Sequence, residues 1–101
     1  MMYGLKKPDI KKIETIFSHF PEIEKVILYG SRAKGNFRPA SDIDLTLIGN
    51  SLNLSVLNQI EIQLDDLLLP YTFDISIFTQ ISNTDLVGHI QRVGIDFYNK
   101  I

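Results

Sequence analysis

Cysteine and tryptophan are both absent from the 101 residues, and histidine occurs only twice. Without thiols, disulfides and thiolate chemistry are excluded, and the redox compartment is not recorded in the sequence. His19 and His89 have no second histidine at ligand spacing, so zinc is disfavoured. His19 reads as a helix-end residue and His89 as a residue on a helix flank. A surplus of one charge is missing as well. Ten Lys and Arg stand against twelve Asp and Glu, giving a net charge of -2. Such a balance leaves no broad basic footprint for duplex nucleic acid. The locally basic "KKPDIKK" reads as a solvated helix end. No run approaches the ~20 apolar residues of a membrane span, and the N-terminus lacks an apolar signal core. No membrane association and a cytoplasmic location are therefore expected. Repeats, low-complexity tracts and long linkers are also lacking, so residues 1–101 are expected to form one domain.

Short patterned segments fill the chain instead. Pro8-Asp9 opens a helical pattern in which Ile10, Ile13, Ile16, Phe17 and Phe20 recur, and Pro21 stops it. "KVILYG" (25–30) reads as a strand closed by a glycine. One helical turn is expected over 31–34, ended by Gly35. "DIDLTLIG" (42–49) is a second strand with clear alternation. Asn53 or Ser55 caps a helix expected to run to about Leu69, with Pro70 beyond it. "YTFDISIF" (71–78) is a third strand. Asn83 or Thr84 caps a last helix ending near Gly94, and the apolar "IDFY" tail adds a short strand. About a dozen residues separate the first two strands, near the lower limit for a parallel crossover, so an antiparallel pair is favoured. The helix between strands two and three is long enough for a right-handed crossover, giving a mixed sheet.

Side chains at i and i+2 of a strand share a face. Asp42, Asp44 and Thr46 therefore lie opposite Ile43, Leu45 and Leu47. Strand three repeats this, with Thr72, Asp74 and Ser76 opposite Tyr71, Phe73, Ile75 and Ile77. The expectation is an α+β fold of two layers, a small mixed sheet with helices packed on one face and the other left open and acidic. Three converging aspartates repel one another unless a cation neutralises them, and an all-oxygen ligand set suits Mg²⁺ or Mn²⁺. Gly30-Ser31 ends its strand beside them. A glycine there admits close approach to the backbone, and Ser31 adds a hydroxyl donor. An anion cradle beside a divalent-metal site is what a metal-bound nucleoside triphosphate requires.

Each part also has a plain structural reading. Most Gly-Ser turns are only turns, and D-x-D is common on solvated sheet faces. Arg32 and Lys34 are either surface charges or helpers that offset phosphate charge. Tyr29 and Tyr98 read as packing residues. The combination is more restrictive than any part, because spacing, faces and strand ends must agree.

At "GSRAKGNFRPASDIDL" the sequence resembles the minimal nucleotidyltransferases of the DNA polymerase β superfamily. Their signature is a strand ending in Gly-Ser, a basic Arg-Ala-Arg/Lys-Gly turn, Ser-Asp-x-Asp-Leu opening the next strand, and a later acidic residue. The resemblance implies that Gly30 and Ser31 hold the triphosphate, with Arg32, Lys34 and Ser41 in the same signature. It implies that Asp42 and Asp44 ligate two Mg²⁺ ions (or Mn²⁺), and that Asp74 completes the second metal site and receives the nucleophile's proton. Many members of this class are antitoxins encoded beside a helical HEPN-type toxin. They are similar to enzymes that transfer AMP from ATP to a hydroxyl of that partner. A non-catalytic binding antitoxin with a vestigial site is the alternative, as is transfer to a nucleic acid or small molecule. Nucleic acid is disfavoured by the acidic balance.

With no accessory domain in the pattern, acceptor recognition is expected to come from a partner or a second copy. On a helical wheel Val56, Leu57, Ile60, Leu64, Leu67 and Leu68 occupy one arc, with Ile62 and Leu69 outside it. That arc is either a continuation of the core or an oligomer or partner interface.

Overall fold

Alternation in the two central strands assigns each sheet face to a layer, and the fold follows that assignment. The computed structural model describes residues 1–100. In order they form α1 (Lys7–Ser18), β1 (Lys25–Tyr29), α2 (Gly30–Lys34), β2 (Ile43–Ile48), α3 (Leu54–Asp65), β3 (Phe73–Ile77), a 3₁₀ turn (Phe78–Gln80), α4 (Thr84–Val93) and β4 (Ile95–Asn99). The sheet order is β3-β2-β1-β4. β1 is antiparallel to both β2 and β4, while β2 and β3 run parallel across α3. This is the mixed-sheet α+β architecture expected, and the apolar tail does add the fourth strand.

Val26 faces Leu47 and Leu28 faces Leu45 across the β1–β2 pair. These four residues and Ile43 are fully buried, together with Ile13 and Phe17 of α1 and Ile60 of α3. Each such side chain contributes roughly 1.5–3 kcal/mol of burial, so this layer holds the domain together. α1 and α3 cover that face, as expected. α4 borders the other face beside β1, where its His89 ring meets Tyr29 edge-on. A Cβ on Gly94, just past α4, would touch Ile27 at 2.7 Å. The second face is therefore open only where Asp44 and Asp74 lie, since Thr46 further along β2 is fully buried.

Two helix ends differ from expectation. α1 stops at Ser18 rather than near Phe20, where the His19 amide bonds the Ile16 carbonyl and the Phe20 amide that of Phe17. α3 starts as expected, with the Asn53 side chain accepting from the Val56 N–H at 2.9 Å. It ends at Asp65, short of Leu69. Pro70 disfavours a helical Leu69, so the chain must leave the helix earlier. It does so by tightening: Leu67 and Leu68 amides bond the Leu64 and Asp65 carbonyls, and Leu68 takes a left-handed φ of 55°. The wheel drawn through Leu68 therefore fails at its last member, which is 89% exposed. The rest of the arc packs inward: Ile60 and Leu64 are buried, and Val56, Leu57 and Leu67 lie against the core. Leu69 joins them because it is no longer helical. Among the described residues, no helix is long and apolar enough to cross a membrane.

Candidate active site

β1 delivers the chain to the open face through Gly30. This residue has φ +73°, and a Cβ built on it would run into Oδ2 of Asp44. Both facts demand glycine, the first because L side chains strain there and the second because no space remains. Its N–H donates to Nε2 of His89 at 3.2 Å. α2 begins at Gly30 and closes at Gly35, whose φ of 85° and amide bond to the Ser31 carbonyl make the left-handed cap expected.

Antiparallel pairing sets Tyr29 opposite Asp44, and parallel pairing sets Asp44 opposite Asp74. Asp44 is thus central on the face, flanked by the end of β1 and by the third aspartate. Asp42 lies just before β2, is exposed, and accepts a hydrogen bond from the Thr72 hydroxyl. One step below Asp44, Thr46 is fully buried and accepts from the Ser76 hydroxyl at 3.0 Å. That hydroxyl pair closes the floor.

Charge accumulates at the centre. Burial first, and then the Asp74 and Asp42 charges, push the Asp44 carboxyl up to about 6, with Arg32 opposing them. The Tyr29 phenol is raised chiefly by burial; a Ser76 hydrogen bond lowers it, and Asp74 and then Asp44 raise it. Among the described residues no three His, Cys, Asp or Glu side chains converge closely enough to enclose a metal ion. The aspartates share a face and a field without meeting at one point. Oxygen donors whose mutual repulsion favours a positive neighbour are nonetheless the donor set that fits a hard divalent cation.

The basic residues are placed differently from one another. Lys34 is exposed at the end of α2. Arg32, read from sequence as a surface charge or a phosphate helper, is turned inward and only 2% exposed. Its Nη1 donates to the Tyr3 carbonyl at 2.9 Å, Nη2 to the Ser41 and Pro39 carbonyls at 2.8 and 3.3 Å, and Nε to Ser41 at 3.2 Å. Its guanidinium lies 5.3 Å from the Phe37 ring centre and 5.4 Å from that of Tyr71. Arg32 thus binds together the loop that leads to Asp42. Ser41 contributes to the same loop, its hydroxyl accepting from the Arg38 N–H at 2.8 Å. Ser31 is half-buried in the first turn of α2.

Two contributors were not legible: the N-terminal turn, whose Tyr3 carbonyl meets Arg32, and His89. Neither lies near the signature in the chain, and neither carries a local pattern.

The family model for polymerase β nucleotidyltransferases matches residues 11–100. No curated protein sequence matches the chain significantly. Solved structures do match it in fold. A crystal structure of a toxin–antitoxin with AMP-PNP has a chain 20% identical, with a TM-score of 0.71 over 95% of this chain and 75% of that one. A complex of tri-AMPylated Shewanella oneidensis HEPN toxin with MNT antitoxin matches at 16% identity and a TM-score of 0.68, covering 95% and 74%. The toxin–antitoxin MntA–HepT matches at 16% identity and 0.68, covering 94% and 74%.

Proposed function

This chain belongs to the polymerase β nucleotidyltransferase family, and we propose that within it the protein transfers AMP from ATP to a hydroxyl of a helical HEPN-type partner protein. The observation that carries this reading is the placement of Asp44, central on the open face, between the Gly30-Ser31 turn and Asp74. Support for the partner comes from one matched structure, in which an MNT antitoxin accompanies an AMPylated HEPN toxin.

In this reading the Gly30-Ser31 turn holds the triphosphate and Lys34 offsets its charge from the solvent side. Asp42, Asp44 and Asp74 would hold divalent cations, Mg²⁺ or Mn²⁺, which supply charge neutralisation at phosphorus and activation of the attacking oxygen. The acceptor hydroxyl oxygen bonds to the α-phosphorus as the bond from that phosphorus to pyrophosphate breaks. Asp74, exposed at the edge of the face, takes the hydroxyl proton. Arg32 acts at a distance, by holding the loop that aims Asp42 and by restraining the rise in the Asp44 pKa.

The experiment is incubation of the protein with Mg²⁺-ATP and the HEPN-type protein encoded beside it, followed by intact-mass analysis. The expected result is an AMP increment on the partner that disappears in the Asp42→Ala, Asp44→Ala double variant. Absence of any increment where the two proteins bind would overturn the reading. Full neutralisation by a variant lacking all three aspartates would assign the biology to complex formation.

A further inference from the structure

His89 stands outside the signature, yet its imidazole reaches across 59 positions to accept the Gly30 N–H at 3.2 Å. The same ring rests edge-on against Tyr29, with centroids 6.2 Å apart. Gly30 is therefore held from two sides, by His89 at its amide and by the Asp44 carboxylate against its α-carbon. From this geometry we infer that His89 is a positioning residue for nucleotide binding, setting the backbone of the Gly30-Ser31 turn from the fourth helix.

The inference rests on the nucleotidyltransfer reading and refines it. An imidazole that accepts through Nε2 is neutral, with its proton on Nδ1. The lone pair faces the first amide of α2, so that donor is already engaged. The triphosphate is then left with the Ser31 hydroxyl and the amides that follow Gly30. Gly30 contributes shape rather than a hydrogen bond. This also accounts for α4 bordering the open face: α2 and α4 touch, and His89 bridges them at the one residue whose φ of +73° makes its amide direction matter. A backbone held in that conformation before the ligand arrives need not be ordered on binding, which is how preorganisation raises affinity.

Two variants separate this role from simple packing. His89→Gln keeps an acceptor at the place of Nε2, whereas His89→Leu keeps apolar bulk against Tyr29 and removes the acceptor. In the full chain labelled with ¹⁵N, the Gly30 amide of His89→Leu is expected to exchange with solvent at least about ten times faster, and that of His89→Gln within about threefold of wild type. Mg²⁺-ATP titration is expected to show a roughly 3- to 10-fold weaker Kd in His89→Leu, the worth of one ordinary hydrogen bond, with recovery in His89→Gln. KM for the acceptor protein stays unchanged in both. A Gly30 amide indifferent to both substitutions overturns the inference alone, as does equal loss of ATP affinity in the two variants. A wild-type protein that binds no ATP overturns the functional reading, and the nucleotide half of this inference with it.

Discussion

Gly30 turns its bare α-carbon toward the Asp44 carboxylate, so closely that a methyl group would collide with Oδ2. Gly30 directly follows β1 and Asp44 belongs to the neighbouring β2, and the collision would displace either the turn or the carboxylate. Gly30→Ala also meets a φ of +73°. We expect it to cost about 1–2 kcal/mol of backbone strain, with a further loss from the clash. Urea denaturation measures the stability, and ATP titration is expected to show binding lost beyond what the stability change explains.

Asp44 gives a pH signature whose sign can be worked out. Its carboxyl ordinarily titrates at 3.8 and is pushed to about 6 in the fold. The native state thus holds a proton that the unfolded chain has released, so this group's contribution to stability declines as pH rises from about 4 to about 6. Asp44→Asn is expected to exceed wild type in stability at pH 7 by about 1 kcal/mol, allowing for solvent screening, and to lose that advantage near pH 4. Thermal melts across this range provide the check. Transfer activity runs the other way. Under the proposed function it is expected to fall as pH drops through about 6, where the carboxylate proposed to hold metal takes up its proton, and raised Mg²⁺ is expected to shift that limb to lower pH.

Arg32 is the residue whose role is most changed by its surroundings. Arg32→Ala leaves the Tyr3, Pro39 and Ser41 carbonyls without their donor and vacates the space between two rings. About 2–4 kcal/mol is the expected loss by chemical denaturation. Arg32→Lys restores the charge but not the fork, and is expected to recover less than half. Because Arg32 opposes the rise in the Asp44 pKa, the acid limb of activity in Arg32→Ala is expected to move to higher pH.

Leu68 offers the reverse case. It sits in the left-handed region at φ 55° with 89% of its surface exposed. Glycine accepts that conformation without strain, and little packing is surrendered. Leu68→Gly is expected to raise stability by up to about 1 kcal/mol, measurable as an upward shift in Tm.

The strands and faces were legible because period-two alternation is local: Asp42-Ile43-Asp44-Leu45 declares its two sides without help from the rest of the chain. Asp74 was legible for the same reason, since its own strand repeats the pattern. Arg32 was not, because an arginine two positions from a glycine and from a lysine looks solvent-facing. Its burial depends on Tyr3, Phe37 and Tyr71, which come from three separate parts of the chain. His89 was legible as a helix-flank residue, but its contact with Gly30 was not, its partner being a backbone amide that no side-chain pattern advertises. The end of α3 was misjudged where three leucines favoured helix and Pro70 forbade it one residue earlier than its own position suggests. Tertiary partners, rather than propensity, decided each of these.

The lock around Arg32 has a bearing on the order of folding. Its acceptors and rings lie at positions 3, 37, 39, 41 and 71, so it cannot close until the chain's first turn and the entry to β3 have both arrived. The β1–β2 hairpin can form earlier, from closer contacts with a smaller loop-closure cost. A refolding chain would then pass through a stage with its β1–β2 hairpin paired and its signature loop still slack. Far-ultraviolet circular dichroism would recover before nucleotide binding does, and the lag between them would time the closing of that lock.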